Sequence, residues 1–194
     1  MMLEFTEWLA ATPWSVALRE SFVVWPILEA SHVMTLMLFV GTIFMVDLRL
    51  LGWAFTRVPV SQFDRRILPW TIAGFILMVI TGLLLFYAKP LTYYHNVFFR
   101  LKLLIILAGV ANLALFHLKV QRSQQTWDAL PRLPTAARAA GLVSILVWSG
   151  VIITGRLIAY DWYECVKLEP DSFLASFASC PATEAPEIAA GEAY

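Results

Sequence analysis

Four long apolar segments, separated by short polar connections, dominate the pattern of hydrophobic and polar positions along the chain. The segments cover residues 26–46, 67–87, 97–118 and 139–160. Each reaches the length of about 20 residues that an α-helix needs to cross a hydrocarbon core of about 30 Å. The pattern therefore predicts an all-α integral membrane protein in which four spanning helices form a four-helix bundle.

The composition agrees with this class, because 60% of the 194 residues are hydrophobic and 14% are charged. We expect one transmembrane domain over 1–163, embedded in the lipid bilayer, and a short acidic tail over 164–194. Residues 1–21 mix aromatic with charged side chains, which predicts N-terminal helices lying in the membrane interface. This part has no basic leader, so we expect no cleavable signal peptide. The net charge of zero argues against nucleic acid as a partner.

Basic residues between the spans predict the orientation. The first and third connections carry eight of the fourteen basic residues, namely Arg49, Arg57, Arg65, Arg66, Lys119, Arg122, Arg132 and Arg138. The positive-inside bias places both connections in the cytoplasm. We therefore expect a multi-pass protein of the bacterial inner membrane with both termini in the periplasm. Cys165 and Cys180 then lie in the periplasmic tail, where an oxidising environment favours a disulfide over two free thiols.

Five ionisable side chains from three spans are predicted to share one depth near the outer end. At about 1.5 Å of rise per residue they lie roughly 5–9 Å below the outer boundary, and they are Glu29, His32, Arg100, Lys102 and Arg156. Glu29 and His32 occupy one helical face. Arg100 and Lys102 are about 200° apart, so we expect one of them to snorkel toward the interface. We predict that Glu29 contacts one of the three basic residues.

A second polar layer is predicted at the cytoplasmic end. Asp47 and His117 both come out near 30 Å from the outer boundary, so a carboxylate and an imidazole are expected to pair there. Such a pair is either structural or a proton entry point.

The outer layer permits four interpretations. A structural ion pair between Glu29 and a basic side chain would only help the helices to pack. The spacing Glu29-x-x-His32 is typical of helix-borne metal sites, although the sequence lacks a second such motif. A b-type haem would use His32 as an axial ligand to its iron, with Arg100, Lys102 and Arg156 near its propionates. A quinone head group is the fourth interpretation, in which His32 and Glu29 handle protons.

The positions of the histidines and cysteines in the sequence restrict the haem interpretation. His117 lies about 20 Å deeper than His32, so the two histidines cannot ligate one haem. The sequence contains no Cys-x-x-Cys-His, which excludes covalent c-type attachment.

Three regions also carry a resemblance to a known family. They are Ser31-His-Val-Met-Thr-Leu-Met-Leu-Phe-Val-Gly with Val46-Asp-Leu-Arg-Leu-Leu-Gly52, Phe98-Phe-Arg-Leu-Lys102 with Asn112 and His117, and Trp148 with Gly155-Arg-Leu-Ile-Ala-Tyr160. Over about residues 20–160 the chain resembles an uncharacterised family of bacterial four-span membrane proteins, and more weakly copper-resistance D-type membrane proteins. The resemblance implies the four-span architecture and the inner-membrane location, and it directs attention to His32, Arg100, Lys102, His117 and Arg156.

We therefore expect a membrane redox or ligand-binding protein, most concretely a b-type haem or quinone-site subunit that serves electron transfer. The alternatives are a non-catalytic membrane module that packs against a larger complex, and a metal-handling membrane protein. A permease would need a continuous polar path, and the middle of the second and fourth spans offers only Thr71, Thr81, Ser144 and Ser149.

Overall fold

The structure is a computed structural model that describes residues 2–121, 124–128, 130, 133–160, 165–169 and 171–180. Its α-helices are α1 (Met2–Ala10), α2 (Pro13–Glu20), α3 (Val24–Leu51), α4 (Val60–Ala88), α5 (Pro90–Tyr94), α6 (Val97–Leu115), α7 (Gln124–Trp127), α8 (Thr135–Leu157) and α9 (Phe173–Phe177). A π-helical turn, Phe116–Val120, continues α6. The described residues contain no strand, so the predicted all-α class is confirmed.

Four of these helices are long and apolar enough to cross a membrane, as predicted. They run Val24–Leu51, Val60–Ala88, Val97–Val120 and Thr135–Tyr160, and each contains one predicted span. The first two extend several residues beyond the predicted inner boundaries. The first span ends at Gly52, whose φ of 77° lets its N–H return to the carbonyl of Arg49. This left-handed conformation favours glycine and is a common way to end a helix.

The four spans pack in the order α4, α3, α8, α6. Helix α3 packs against α4 and α8, and α8 packs against α6, whereas α4 and α6 pack against each other much less. Glycines permit the close approaches: a Cβ at Gly74 would lie 2.9 Å from the backbone nitrogen of Phe39, and one at Gly109 would lie 3.0 Å from Val147. Small residues at such crossings let helix backbones come together in lipid. The bundle is therefore closed along three sides and loosely joined along the fourth.

We call the end that carries α1 and α9 the outer end, and the end that carries the α3–α4 connection the inner end. The middle of the bundle holds the central cluster, whose buried members are Phe39, Val40, Met78, Trp148 and Val151. Its rings of Phe39 and Trp148 meet edge to face at 4.6 Å. The inner end holds the inner cluster, made of Leu50, Val60, Trp127, Leu133 and Ala137. Both clusters exclude water from the space between the helices.

The two N-terminal helices cover the outer end of α4. The Ser15 hydroxyl donates to the carbonyl of Tyr87 at 2.9 Å, and the Thr12 hydroxyl lies 2.8 Å from the Tyr87 hydroxyl. Trp8 and Trp14 are 63% and 76% exposed. Aromatic side chains exposed at this level suit the membrane–water interface, where their rings are most favourable. The arrangement agrees with the interfacial helices predicted for this part of the chain.

The predicted disulfide between Cys165 and Cys180 is present in the tail. It closes a loop of chain that includes α9. Two of the basic residues that predict the orientation, Arg122 and Arg132, lie outside the described residues. The same holds for five acidic residues in and just before the tail, namely Asp161, Glu164, Glu184, Glu187 and Glu192. The described part of the tail reaches Cys180.

Candidate functional site

His32 lies inside the outer half of the bundle, where α3 faces α4. Its Nδ1 is 2.9 Å from the hydroxyl oxygen of Thr81. That hydroxyl also lies 2.9 Å from the carbonyl oxygen of Leu77 and 3.1 Å from that of Met78, both of which can only accept. The single hydroxyl proton of Thr81 therefore points to its own helix, as threonines in helices often do. This geometry favours a proton on Nδ1 and leaves Nε2 with a free lone pair.

Gly82 makes room for the imidazole. A Cβ at this position would lie 3.2 Å from Cε1 of His32 and 3.8 Å from Nδ1. The ring therefore rests against bare backbone on α4. Any side chain at position 82 would press on the imidazole.

Lys102 approaches the same region from α6. The Lys102 side chain passes α8 at Gly155, where a Cβ would lie 3.5 Å from the Lys102 Nζ. Its ammonium group acts electrostatically on His32. Within the described residues, Lys102 forms no ion pair and no side-chain hydrogen bond. We call His32, Thr81 and Lys102 the outer polar site, to which α3, α4 and α6 each contribute one side chain while α8 supplies space.

Apolar groups bound the outer polar site above and below. Met78, one turn inward from Thr81, belongs to the central cluster. Phe86 and Phe99, each about one turn outward from the site on α4 and α6, stack at 5.6 Å. Tyr93 on α5 adds a third ring, 5.3 Å from Phe99. The polar groups therefore lie beneath an aromatic cap, defined by Phe86, Tyr93 and Phe99, which limits their contact with water.

Glu29 lies one turn outward from His32, at the level of this cap. Burial, together with the negative charge of Glu29, raises the pKa of Tyr93 to about 12. Glu29 itself is exposed and forms no ion pair with a described basic residue. The predicted contact with Arg156, Arg100 or Lys102 is therefore not formed. A carboxylate near the end of a span can be hydrated at the interface, so it has no need of an internal partner.

Arg100 is the basic residue that turns outward. Its Nε donates to the carbonyl of Tyr94 at 2.9 Å, and its Nη1 donates to the carbonyl of Phe177 at 2.5 Å. The guanidinium also lies over the Tyr94 ring, 4.7 Å from its centroid. Arg100 therefore holds the disulfide-bearing tail to the bundle instead of lining the outer polar site. The expected division between Arg100 and Lys102 is confirmed, since only Lys102 faces inward.

Arg156 is also outside the site. It is exposed and lies over the ring of Tyr160, one turn further along the same chain, at 5.0 Å. Of the five residues predicted for one polar layer, the structure brings together only His32 and Lys102. Depth alone predicts all five at one level, but Glu29 is exposed near the outer end of α3, Arg100 binds the tail and Arg156 faces the surface.

The structure does not bring Asp47 and His117 together. His117 is exposed, its Nδ1 lies 2.9 Å from the carbonyl of Leu113, and its charge acts on Asp64 of α4. Asp47 is buried where α3 packs on α8, facing Ser144. The two residues are at similar depth, but α3 does not pack closely on α6, so they occupy different interfaces.

Thr81 and Gly82 are the site residues that sequence reasoning missed. In the sequence, Thr81 stands out only as one of the few polar residues within the second span. A signal was present, because Thr81 is six residues from the outer boundary of its predicted span and His32 is six residues from that of its own. Two polar residues at equal depth on neighbouring antiparallel helices are candidates for a hydrogen bond.

The outer polar site can bind an uncharged or anionic oxygen. An ammonium group without an acidic partner attracts a carbonyl or oxyanion, and an imidazole with a free Nε2 accepts a hydrogen bond or ligates iron. Among the described residues there is no group of three or more His, Cys, Asp or Glu side chains that could hold a metal ion. The site is therefore better suited to a small organic ligand than to a bare metal ion.

Comparison with known proteins agrees with the family resemblance. Neither the curated proteins nor the solved structures include a significant match to this chain. The weaker similarity to copper-resistance D-type proteins stays a prediction. One family model matches residues 21–161, which include all four spans and the outer polar site. The chain therefore belongs to DUF6644, a family of unknown function.

Proposed function

We propose that this membrane protein binds the head group of a quinone at the outer polar site. The observation that carries the proposal is that two groups with hydrogen-bonding capacity to spare, the Nε2 of His32 and the ammonium of Lys102, interact electrostatically inside the bundle. A quinone carbonyl accepts a hydrogen bond from an ammonium group, and the hydroxyl of the reduced quinol donates one to an imidazole lone pair. His32 would then serve as the proton-handling residue and Lys102 as the positioning cation.

The loose packing between α4 and α6 supports a ligand that arrives through the lipid. These helices meet at the outer end through the stacked rings of Phe86 and Phe99. Near these rings in the chain the side chains are apolar and exposed, since Leu83 lies three residues before Phe86, and Leu103 and Leu107 lie four and eight residues after Phe99. A ligand with an apolar tail can lie along such a surface while its polar head reaches His32 and Lys102.

A b-type haem is the second candidate, and the Thr81 hydrogen bond favours it. Histidines that ligate metals usually donate the other ring N–H to a fixed acceptor, which orients the ring. His32 has this arrangement through Nδ1. The other histidines are engaged elsewhere: His95 lies 3.3 Å from the carbonyl of Ala178, and His117 is at the inner end. A haem here would therefore have His32 as its one histidine ligand.

One preparation tests both candidates. The protein purified in mild detergent would be scanned for a Soret band and then titrated with a short-chain ubiquinone and a short-chain menaquinone, using quenching of tryptophan fluorescence. We expect a colourless protein that binds a quinone, with at least about tenfold weaker binding in His32→Ala and Lys102→Met, because each removes a hydrogen bond of about 1.5 kcal/mol or more. Arg156→Ala and His117→Ala are matched controls that should bind normally.

The other outcomes are equally informative. A Soret band that disappears in His32→Ala would replace the quinone proposal by the haem candidate. A colourless protein that binds neither quinone would contradict both and would favour the non-catalytic module that packs against a larger complex.

A further inference from the structure

Asp47 is the most deeply buried acidic group among the described residues, with 4% of its surface exposed. Its Oδ2 has no hydrogen-bond partner, and it is the only buried side-chain polar atom of the described residues in that state. The residue lies where α3 and α8 touch, since a Cβ at Gly141 would be 3.1 Å from the Asp47 carbonyl oxygen. A buried polar atom without a partner calls for an explanation.

No described basic side chain neutralises this carboxyl group. Arg49, two residues further along α3, points elsewhere: its Nε donates to the carbonyl of Val58 at 2.7 Å, and its charge interacts with Asp128. On α8 the buried, uncharged Ser144 forms a side-chain hydrogen bond with this carboxyl group, while Arg138 is exposed. His117 bonds within its own helix.

The polar and charged side chains of α4 and α6 near this end are also exposed or bound to other partners. On α4, Arg65 and Arg66 are exposed, and Asp64 interacts with His117. On α6, the Asn112 amide donates to the carbonyl of Ala140 at 3.0 Å. The central cluster lies on the outer side of Asp47, and the inner cluster, which includes Leu50, lies on its inner side.

An ionised carboxylate is very unfavourable in such surroundings. Moving an unpaired carboxylate from water into an apolar interior costs many kcal/mol, and the group avoids this cost by taking up a proton. A neutral carboxyl group instead has an O–H that can donate, and its burial costs far less. Intramembrane acidic residues of this kind commonly mark sites of proton or ion exchange.

We infer that Asp47 is a proton-binding site, a neutral carboxyl group held between α3 and α8 that exchanges its proton with the inner aqueous side. The distance supports exchange at that end, because Asp47 is four residues, or about 6 Å, from the end of α3 at Leu51. His32 is fifteen residues away along the same helix, or about 22 Å. The inference therefore does not depend on the ligand of the outer polar site.

Infrared difference spectroscopy can observe this proton directly. We would compare the full-length protein with its Asp47→Asn variant, both purified in detergent at neutral pH. A neutral carboxyl group gives a carbonyl stretching band well separated from carboxylate bands, and we expect the wild type to show this band and Asp47→Asn to lose it. The band should shift when H2O is replaced by D2O, because an exchangeable proton is replaced by deuterium.

Asp128 supplies the matched control at the same end of the bundle. Its carboxylate accepts from the backbone nitrogen of Ser61 at 2.7 Å and from the Ser61 hydroxyl, and it interacts with Arg49. These donors pair both oxygens of the carboxylate. The difference spectrum of Asp128→Asn should therefore show loss of carboxylate bands.

Thermal unfolding provides a second and independent measurement. Asparagine resembles a neutral aspartic acid in size, so Asp47→Asn should leave the unfolding midpoint unchanged or raise it, whereas Asp128→Asn should lower it. Loss of carboxylate bands in Asp47→Asn would overturn the inference. The inference would also be overturned if carboxylate bands replaced the neutral-carboxyl band on addition of Na⁺ but not of choline. The carboxyl group would then be a cation ligand.

Discussion

His32 and Thr81 join the first two spans through a hydrogen bond of 2.9 Å between Nδ1 and the hydroxyl oxygen. The bond crosses from α3 to α4 beside Gly82, where the absence of a side chain lets the ring approach the helix. One residue on each helix thus determines both the position of the imidazole and the nitrogen that it presents to a ligand.

Thr81→Val removes this acceptor while keeping the side chain nearly the same size. We expect a small loss of stability, about 0.6 kcal/mol, since single hydrogen bonds between membrane helices contribute about that much. The larger effect should be on ligand binding, because the ring is no longer held with Nε2 free. Quinone titration or the Soret band would measure it, with Thr81→Ser as the rescuing control. Equal binding by Thr81→Val and the wild type would show that the hydrogen bond has no part in the site.

Gly82→Ala tests the space beside the imidazole. The added methyl group would lie 3.2 Å from Cε1 of His32, so the ring must move and ligand binding should weaken. Gly41→Ala is the matched control on α3, because a Cβ there meets nothing within 4 Å. Alanine should be neutral or slightly stabilising at position 41, owing to its higher helix propensity. If the two variants bind equally well, the ring does not occupy the position described.

Arg100→Ala should loosen the disulfide-bearing tail. Its guanidinium bonds to the carbonyls of Tyr94 and Phe177, so its removal leaves α9 with fewer contacts to the bundle. Hydrogen–deuterium exchange measured by mass spectrometry should become faster at 173–180 but not within α3. Arg156→Ala, which removes only a contact over Tyr160, should leave this segment unchanged. Unchanged exchange in Arg100→Ala would mean that the remaining contacts, such as that between His95 and the carbonyl of Ala178, hold the tail in place.

Tyr93 should give the protein a pH-dependent stability in the alkaline range. Its pKa is raised to about 12 by burial and by the charge of Glu29, whereas an unfolded tyrosine titrates near about 10. The unfolded chain then binds fewer protons than the folded chain between these values, so this contribution is complete below about pH 10 and is lost toward about pH 12.

Ultraviolet titration of tyrosinate in detergent would check this shift. Tyr93→Phe should remove a component that titrates near the top of the range, and Glu29→Gln should move that component to lower pH. An alkaline titration curve that is identical in shape for wild type and Tyr93→Phe would contradict the proposed environment.

The predicted orientation can be tested through the two cysteines. After mild reduction in intact cells, a membrane-impermeant maleimide should label Cys165 and Cys180, because the tail is expected on the periplasmic side. A variant with both cysteines replaced by serine, carrying a new cysteine at exposed Arg57, is the control and should be labelled only after lysis. The reverse pattern would invert the topology and place the outer polar site near the cytoplasm.

The sequence by itself determined the four membrane helices and the level of each ionisable residue along its helix. These two properties depend on distance along the chain alone, since the length of an apolar segment fixes whether it can span a bilayer and the rise per residue fixes the level of each side chain. The disulfide could be predicted because the chain has only two cysteines, both in the tail. The difference of about 200° between Arg100 and Lys102 is also a local property, and it correctly predicted that one of the two would turn outward.

Only the tertiary structure decided which side chains meet. Asp47 and His117 share a depth but face different helices. Glu29 is exposed and acts electrostatically on Tyr93, while His32, on the same face of α3, reaches Thr81. These outcomes depend on helix rotation and on the order of packing, which are set by close contacts at glycines such as Gly74, Gly82 and Gly141. Such contacts join residues distant in the chain, and their energy depends on the fit of two surfaces, a quantity that hydrophobic patterning does not contain.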